Sequence, residues 1–345
     1  MKIQNIFIKA YSIPFSRPFK TSNETFTYRK GYFISIDAEG FTGYGESAPL
    51  PYYSMDSLEI CNRALYEFKY GLPHKPKDLE LTDIIRLIND STFLSPAARF
   101  GLETAIYDLE SQIADQSLAV FLNPEALKKI RINGFITDIH NIPKNFSVLK
   151  LKINGRLPLS DLLKELEYIS KKTGVNTKLR LDANGSFDSQ TAVSFGRAIE
   201  QFNIDYLEQP LPVDDLEGMA VLRKEISIPV AIDESLTTFE SAEKIIEKKS
   251  ADVFVIKPTI SGGFNGSEKI INQAKKENIR TVITSSLESD IGLLACLHLA
   301  SKNNIEEACG LDTCQFLTQR NIEFPTSVNG YIDIPERPGL GYSQI

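Results

Sequence analysis

The sequence predicts an α/β protein: a closed parallel barrel of eight β/α units, preceded by an α+β domain. Three observations carry that expectation. From about residue 128 onward, eight short apolar runs each end in a polar residue and lead into an amphipathic stretch of helical period. The strand-terminal residues Lys152, Asp182, Glu208, Asp233 and Lys257 recur at intervals of 30, 26, 25 and 24 residues, the length of one strand–helix unit. Before about residue 60, by contrast, the apolar residues alternate with period two.

Taken in order, "IQNIFIKAYSI" and "KGYFISIDAEG" are period-two strands, and "GFTGYGESAPLP" is dense in glycine and proline. "SPAARFGLETAIYDLESQIA" then opens a helix with Ser95 as N-cap and Pro96 at the first helical position. Its residues Leu102, Ile106, Leu109 and Ile113 fall on one face. Strands followed by helices make residues 1–125 an α+β capping domain. The runs "IRINGFI", "VLKLKI", "TKLRLDAN", "IDYLEQP", "IPVAIDES", "ADVFVIKP", "RTVITSS" and "EACGLDT" follow, and give the barrel over residues 126–317. Period alone also admits an open doubly wound sheet; eight units in so short a span favour closure. The tail, residues 318–345, is rich in proline and glycine, has no ninth unit, and is expected to return to the first domain.

Composition narrows the function. The chain has 345 residues and a net charge of −7, which argues against nucleic acid as a partner and leaves a small anionic substrate open. Four cysteines without CxxC spacing read as reduced thiols in a cytoplasmic protein. No apolar run is long enough for a membrane span, and the first residues alternate like a strand rather than a signal peptide. The oligomeric state has no signature in the sequence.

In a parallel α/β barrel the chemistry sits at the C-terminal ends of the strands. Here those ends carry Lys152, Asp182, Glu208, Asp233 and Lys257 in succession. Any one of the three carboxylates would serve as a helix cap. All three on consecutive strands repel one another unless a cation lies between them, and a hard dication with oxygen ligands, Mg2+ before Ca2+ or Zn2+, fits best. Lys150 and Lys152 share one strand face and so point into the barrel. A free lysine, near 10.4, is a poor base, but burial and neighbouring positive charge, from Lys150 and a metal, would bring Lys152 toward 7–8. The histidines, His74, His140 and His298, occupy no strand end, and strand seven ends in Ser285 and Ser286.

The order "KLK", "DAN", "EQP", "DES", "KP" resembles the enolase superfamily in its muconate-lactonizing-enzyme-like subgroup, and the likeness extends through "GYGESAPLP" and "LETAIYDLESQIA" over essentially the whole chain. The resemblance implies a (β/α)8-type (modified TIM) barrel under a capping domain, a Mg2+ cofactor for which Mn2+ substitutes, and proton abstraction next to a carboxylate. Within the subgroup, "LRLDAN", "DESL", "VIKPTISGG", "SSLES" and "GLDT" are most similar to the o-succinylbenzoate synthases. That likeness implies a lyase that dehydrates 2-succinyl-6-hydroxy-2,4-cyclohexadiene-1-carboxylate to o-succinylbenzoate, a menaquinone precursor. Lys152 is then the base, Lys257 an electrostatic partner, and Asp182, Glu208 and Asp233 the metal ligands. Lys150 and Asn184 support them, Ser285 and Ser286 meet the succinyl arm, and Arg29 and Tyr52 line the site from cap loops or act structurally. The dipeptide epimerases and N-acylamino acid racemases share this frame, with lysines as acid and base on opposite faces. The epimerases carry Asp-x-Asp on strand eight, where this chain has Gly310-Leu311-Asp312. A barrel that binds metal and ligand without turnover is the remaining alternative.

Overall fold

The computed structural model of the chain describes residues 3–20, 25–51, 56–71, 81–91, 93–155, 157–319 and 322–342. Three strands, β1 (Ile3–Lys20), β2 (Thr25–Ala38) and β3 (Phe41–Ser47), pair antiparallel in chain order. The period-two alternation places Ile3, Ile6, Ile34, Ile36 and Ala38 on one face, buried against α1 (Leu58–Gly71), α2 (Leu81–Asp90) and α3 (Pro96–Ile113). A Cβ on Gly43 would lie 2.1 Å from the carbonyl oxygen of Ala105, and one on Gly45 1.9 Å from that of Gly101, so β3 touches α3 only because those positions are bare. Helix α3 starts as its sequence dictates: the Ser95 hydroxyl accepts from the Ala98 amide, with Pro96 in the first turn. The sheet and its helices are the cap.

A short α4 (Leu118–Leu122) leads to β4 (Lys129–Arg131) and β5 (Gly134–Ile136), and then strands and helices alternate. In order these are β6 (Val148–Lys152), α5 (Leu159–Thr173), β7 (Lys178–Asp182), α6 (Ser189–Ala198), β8 (Ile204–Glu208), α7 (Leu216–Glu225), β9 (Val230–Ile232), α8 (Phe239–Lys248) and β10 (Val253–Ile256). A single-turn α9 (Pro258–Ser261), α10 (Gly263–Lys276), β11 (Arg280–Ile283) and α11 (Asp290–Lys302) complete the series. Strands β5 to β11 form one parallel sheet with sequential neighbours. The eighth expected strand contributes only two pairing residues: Cys309 bridges to Ile132 and Gly310 to Thr284. Main-chain bonds on both sides (Cys309 to Arg131, Asn133 to Cys309, Gly310 to Ile283) close the sheet into a barrel. The first expected strand divides instead. Residues 129–131 pair antiparallel with β12 (Tyr331–Asp333) of the tail, and residues 134–136 pair with β6. Elsewhere the tail bonds to the cap strand β1 (Thr318 to Pro14) and to Leu118 through Gly339.

The alternation along each strand separates two layers. Phe254, Ile256, Leu179, Leu181 and Ile283 pack outward on the helices, while Val253, Val255, Tyr206, Ala231 and Val282 form a separate cluster inside the barrel. Below that cluster the fully buried Arg180 stacks on the Tyr206 ring, 4.6 Å from its centroid. Its guanidinium bonds Asp205 at 2.8 Å and Glu307 at 3.3 Å, and Arg280 engages the same two carboxylates at 2.9 and 2.6 Å. This network plugs the end of the barrel remote from the strand C-termini. Among the described residues no helix is long and apolar enough to cross a membrane.

His298, on α11, belongs to the core. Its Nδ1 accepts from the Ala119 amide at 3.1 Å and its Nε2 lies 3.2 Å from the Leu340 carbonyl. Burial lowers its pKa to about 4. The unfolded imidazole, near 6.5, takes up a proton first, so this residue's contribution is intact above that pH and is lost as pH falls toward the folded value. Between pH 7 and pH 5 it is expected to cost about 2 kcal/mol of stability. His298→Gln keeps one acceptor and one donor without a titration, so urea unfolding at the two pH values should show a loss smaller by about that amount. Equal losses in wild type and variant would refute this account.

Candidate active site

At the C-terminal ends of the barrel strands the charged residues converge. Lys150 Nζ lies 2.9 Å from Asp182 Oδ2 and 2.7 Å from Glu208 Oε1. Lys257 Nζ bonds both carboxylate oxygens of Asp233. Register explains the gathering: Lys152 pairs across to Asp182, Asp182 to Glu208, and Glu208 to Ala231, two residues before Asp233. Lys152 stands beside this cluster, solvent-exposed, with its ammonium 5.2 Å from the centre of the Phe19 ring of the cap. Phe19 packs with Phe26, Phe316, Ile13, Phe15, Leu287 and Leu317, an apolar wall between cap and barrel.

Electrostatics here are a contest between burial and charge. Burial raises Glu208 to about 8 despite Lys150, helped by Asp182 and Asp233. Burial would also raise Asp182, but Lys150, Lys152 and Lys257 together hold it below its ordinary value. Burial would lower Lys150, but Asp182 and Glu208 outweigh it and hold it well above the ordinary lysine range. Lys257 is likewise raised, by Asp233 and Glu234 against burial. The Lys150 charge is therefore matched by two carboxylates.

The donors suit a hard dication. Asp182, Glu208 and Asp233 offer only oxygen, and Glu208 Oε2 is buried without a hydrogen-bond partner. As they stand the carboxylates face the lysines, and among the described residues no three His, Cys, Asp or Glu side chains are gathered at metal-binding separations. A dication held by the three carboxylates would offset their charge, as the two ammonium groups do here.

Asn184 sits at φ +44° in the turn after β7, where its Nδ2 donates to Glu234 at 2.8 Å and its amide to Asp182 at 3.1 Å. Two site residues escaped the sequence reading. Glu234, raised to about 7 by burial and by Asp233 and Asp182, has a buried Oε2 without a partner. Gln209, fully buried, accepts from the amides of Asp233 and Ser235 and donates to Ser235 Oγ and to the Leu211 carbonyl, which ties the turn after β8 to the turn after β9. Strand alternation hides both, because each lies one residue past a strand-end carboxylate, where the chain has already left the strand.

Ser285 Oγ is 2.7 Å from Thr313 Oγ1, linking the seventh and eighth positions, and Ser286 Oγ is buried without a partner. Arg29 is buried, and its five N–H donors all reach main-chain carbonyls, those of Lys30, Ala48, Pro49, Ser286 and Leu287. It therefore ties cap to barrel and has no donor left for a substrate. Glu46 accepts from Ser289 N, Ser289 Oγ and Gly292 N at the start of α11, and from Tyr11. Tyr52 and His74 lie outside the described residues, and His140 stands on an exposed turn away from the strand ends. The four cysteines are buried and none is in a disulfide.

Residues 139–344 match the enolase C-terminal domain-like family, and residues 3–109 match the MenC N-terminal domain. The L-Ala-D/L-Glu epimerase of Bacillus subtilis (strain 168) is 28% identical over 99% of this chain and 96% of its own length. The o-succinylbenzoate synthase of the same organism is 25% identical over 99% of this chain and 94% of its own. The crystal structure of a dipeptide epimerase from Enterococcus faecalis V583, complexed with Mg and L-Leu-L-Tyr, superposes with a TM-score of 0.89 at 23% identity, covering 99% of this chain and all of that one (100%).

Proposed function

This chain belongs to the enolase superfamily, and from that premise we propose that it is an o-succinylbenzoate synthase, a Mg2+-dependent hydro-lyase acting on 2-succinyl-6-hydroxy-2,4-cyclohexadiene-1-carboxylate. The observation that favours this over an epimerase is Gly310. The epimerases place the first aspartate of Asp-x-Asp there to hold a substrate amine, and here even a Cβ would come within 2.4 Å of Thr284 Oγ1. The apolar wall of Phe19, Phe26 and Phe316 is compatible with the same reading, since a carbocyclic ring can pack on it. The epimerase or racemase reading keeps its own support in the relatives of that activity and in lysines on both sides of the carboxylates.

Asp182, Glu208 and Asp233 would hold the ion, with Asn184, Glu234 and Gln209 fixing their turns; Mn2+ would substitute for Mg2+. When bound, the ion supplies Lewis-acid stabilisation of negative charge on the substrate carboxylate. Lys152 Nζ, as free amine, takes the proton from the ring carbon bearing that carboxylate; the C–H electron pair moves into the carboxylate. The same ammonium then returns its proton to the departing β-hydroxyl, which leaves as water as the pair reforms the ring double bond. Lys257 remains an ammonium and offsets the developing charge from the other side. Ser285 and Ser286 receive the succinyl arm, and the cap covers the mouth against water.

Replacing Asp182 by Asn is expected to lower Mg2+ affinity by about a hundredfold or more and to abolish dehydration while the barrel stays folded. Calorimetric Mg2+ titration and circular dichroism on the variant test this. Full activity of chelator-treated wild type would remove the metal from the account.

A further inference from the structure

The seventh strand ends in a turn that does not hold itself. Leu287 stands at φ +62°, a left-handed conformation that a leucine rarely adopts, so the surrounding structure has to maintain it. Three side chains do so. Arg29 donates to the Leu287 carbonyl at 2.9 Å and to the Ser286 carbonyl at 3.2 Å, Glu288 accepts from the Ser286 amide at 2.7 Å, and Glu46 accepts from Ser289 N at 2.8 Å and Gly292 N at 2.9 Å. Two of the three belong to the cap, more than 240 residues away in sequence. The same Arg29 guanidinium also holds the carbonyls of Ala48 and Pro49, where the cap chain leaves β3. Within this turn Ser286 keeps a buried hydroxyl with no partner, and Ser285 a hydroxyl bonded to Thr313.

We propose that Arg29 and Glu46 are positioning residues for substrate recognition: from the cap they clamp the strained turn 286–289, and thereby set where the Ser285 and Ser286 hydroxyls meet the carboxylate arm of the substrate remote from the reacting carbon. This rests on the synthase reading for the identity of that arm. The clamp acts on recognition and not on the metal, because the bonds of Arg29 and Glu46 go to Lys30, Ala48, Pro49, Ser286, Leu287, Ser289, Gly292 and Tyr11, and not to Asp182, Glu208, Asp233, Lys150, Lys152 or Lys257.

The test uses the full chain with Mg2+, comparing wild type with Arg29→Met, Arg29→Lys and Glu46→Gln. Arg29→Met should raise KM for the cyclohexadiene about tenfold with kcat changed by less than about threefold, and Arg29→Lys, which keeps the charge and some donors, should recover part of the loss. Hydrogen exchange of the amides from 286 to 292 should accelerate about tenfold or more, while those of β7 and β10 and the calorimetric Mg2+ affinity stay at wild-type values. Unchanged KM and unchanged exchange would overturn the proposal. So would a loss of kcat and of Mg2+ affinity alongside the rise in KM, with faster exchange throughout the barrel, which is the signature of a merely structural role. If wild type does not dehydrate the cyclohexadiene, the synthase reading and the assignment of the arm fall together. The exchange and Mg2+ measurements would still decide whether the clamp exists.

Discussion

Lys152→Arg is expected to reduce dehydration about 10²–10⁴-fold, the range that a positioned general base contributes, with the fold and the metal affinity intact. A guanidinium keeps the positive charge but does not give up its proton near neutral pH, so the variant separates charge from basicity. Of the three lysines, Lys150 bonds Asp182 and Glu208 and Lys257 bonds Asp233, while Lys152 stands outside these ion pairs. Its ammonium lies 5.2 Å from the centre of the Phe19 ring, where the cap meets the mouth of the barrel. Lys257→Arg should be milder, a partial loss, because a displaced charge still offsets charge. In a racemase each lysine serves one face, and both variants would lose exchange on their own face alone. Equal and total loss of dehydration in the two variants would contradict the one-base account.

The second large effect is on stability, at the opposite end of the barrel. Asp205→Ala is expected to cost about 3–5 kcal/mol, because it leaves the fully buried Arg180 and the half-buried Arg280 sharing Glu307 alone. Burial alone would raise Asp205, but Arg180 and Arg280 hold it below its ordinary value. Its contribution is thus present above the unfolded carboxylate pKa and lost as pH falls through the lower folded value. Urea denaturation at neutral pH measures the difference. A change below about 1 kcal/mol would mean that solvent or Arg280 rearrangement replaces the pair, and the plug would then not be what closes the barrel floor.

The strand-end residues were legible because a β/α barrel repeats at a fixed length and aims the last residue of each strand at the mouth. Lys150, Asp182, Glu208, Asp233 and Lys257 all meet there, with Lys152 alongside. What periodicity does not encode stayed hidden. The eighth strand is two bridging residues, too short for any pattern, and its run "EACGLDT" held a strand only at Cys309 and Gly310. Gln209 and Glu234 work from turns, where neither period applies. The sequence leaves Arg29 between lining the site and acting structurally, because a lone arginine in a cap strand announces no partner; its acceptors are carbonyls from segments up to 258 residues away. The ion pairs of Lys150 also stayed hidden: its two carboxylate partners are each visible in the sequence, but only the register of the strands brings them to it.

The most direct measurement follows one Mg2+-loaded wild-type sample in deuterated water by proton NMR, with the cyclohexadiene substrate in one tube and a panel of dipeptides and N-acylamino acids in the others. The account predicts rapid conversion of the cyclohexadiene to o-succinylbenzoate, with α-proton exchange in the dipeptides slower by orders of magnitude. Rapid α-exchange in a dipeptide or N-acylamino acid, with the cyclohexadiene left unchanged beyond its spontaneous rate, would contradict it.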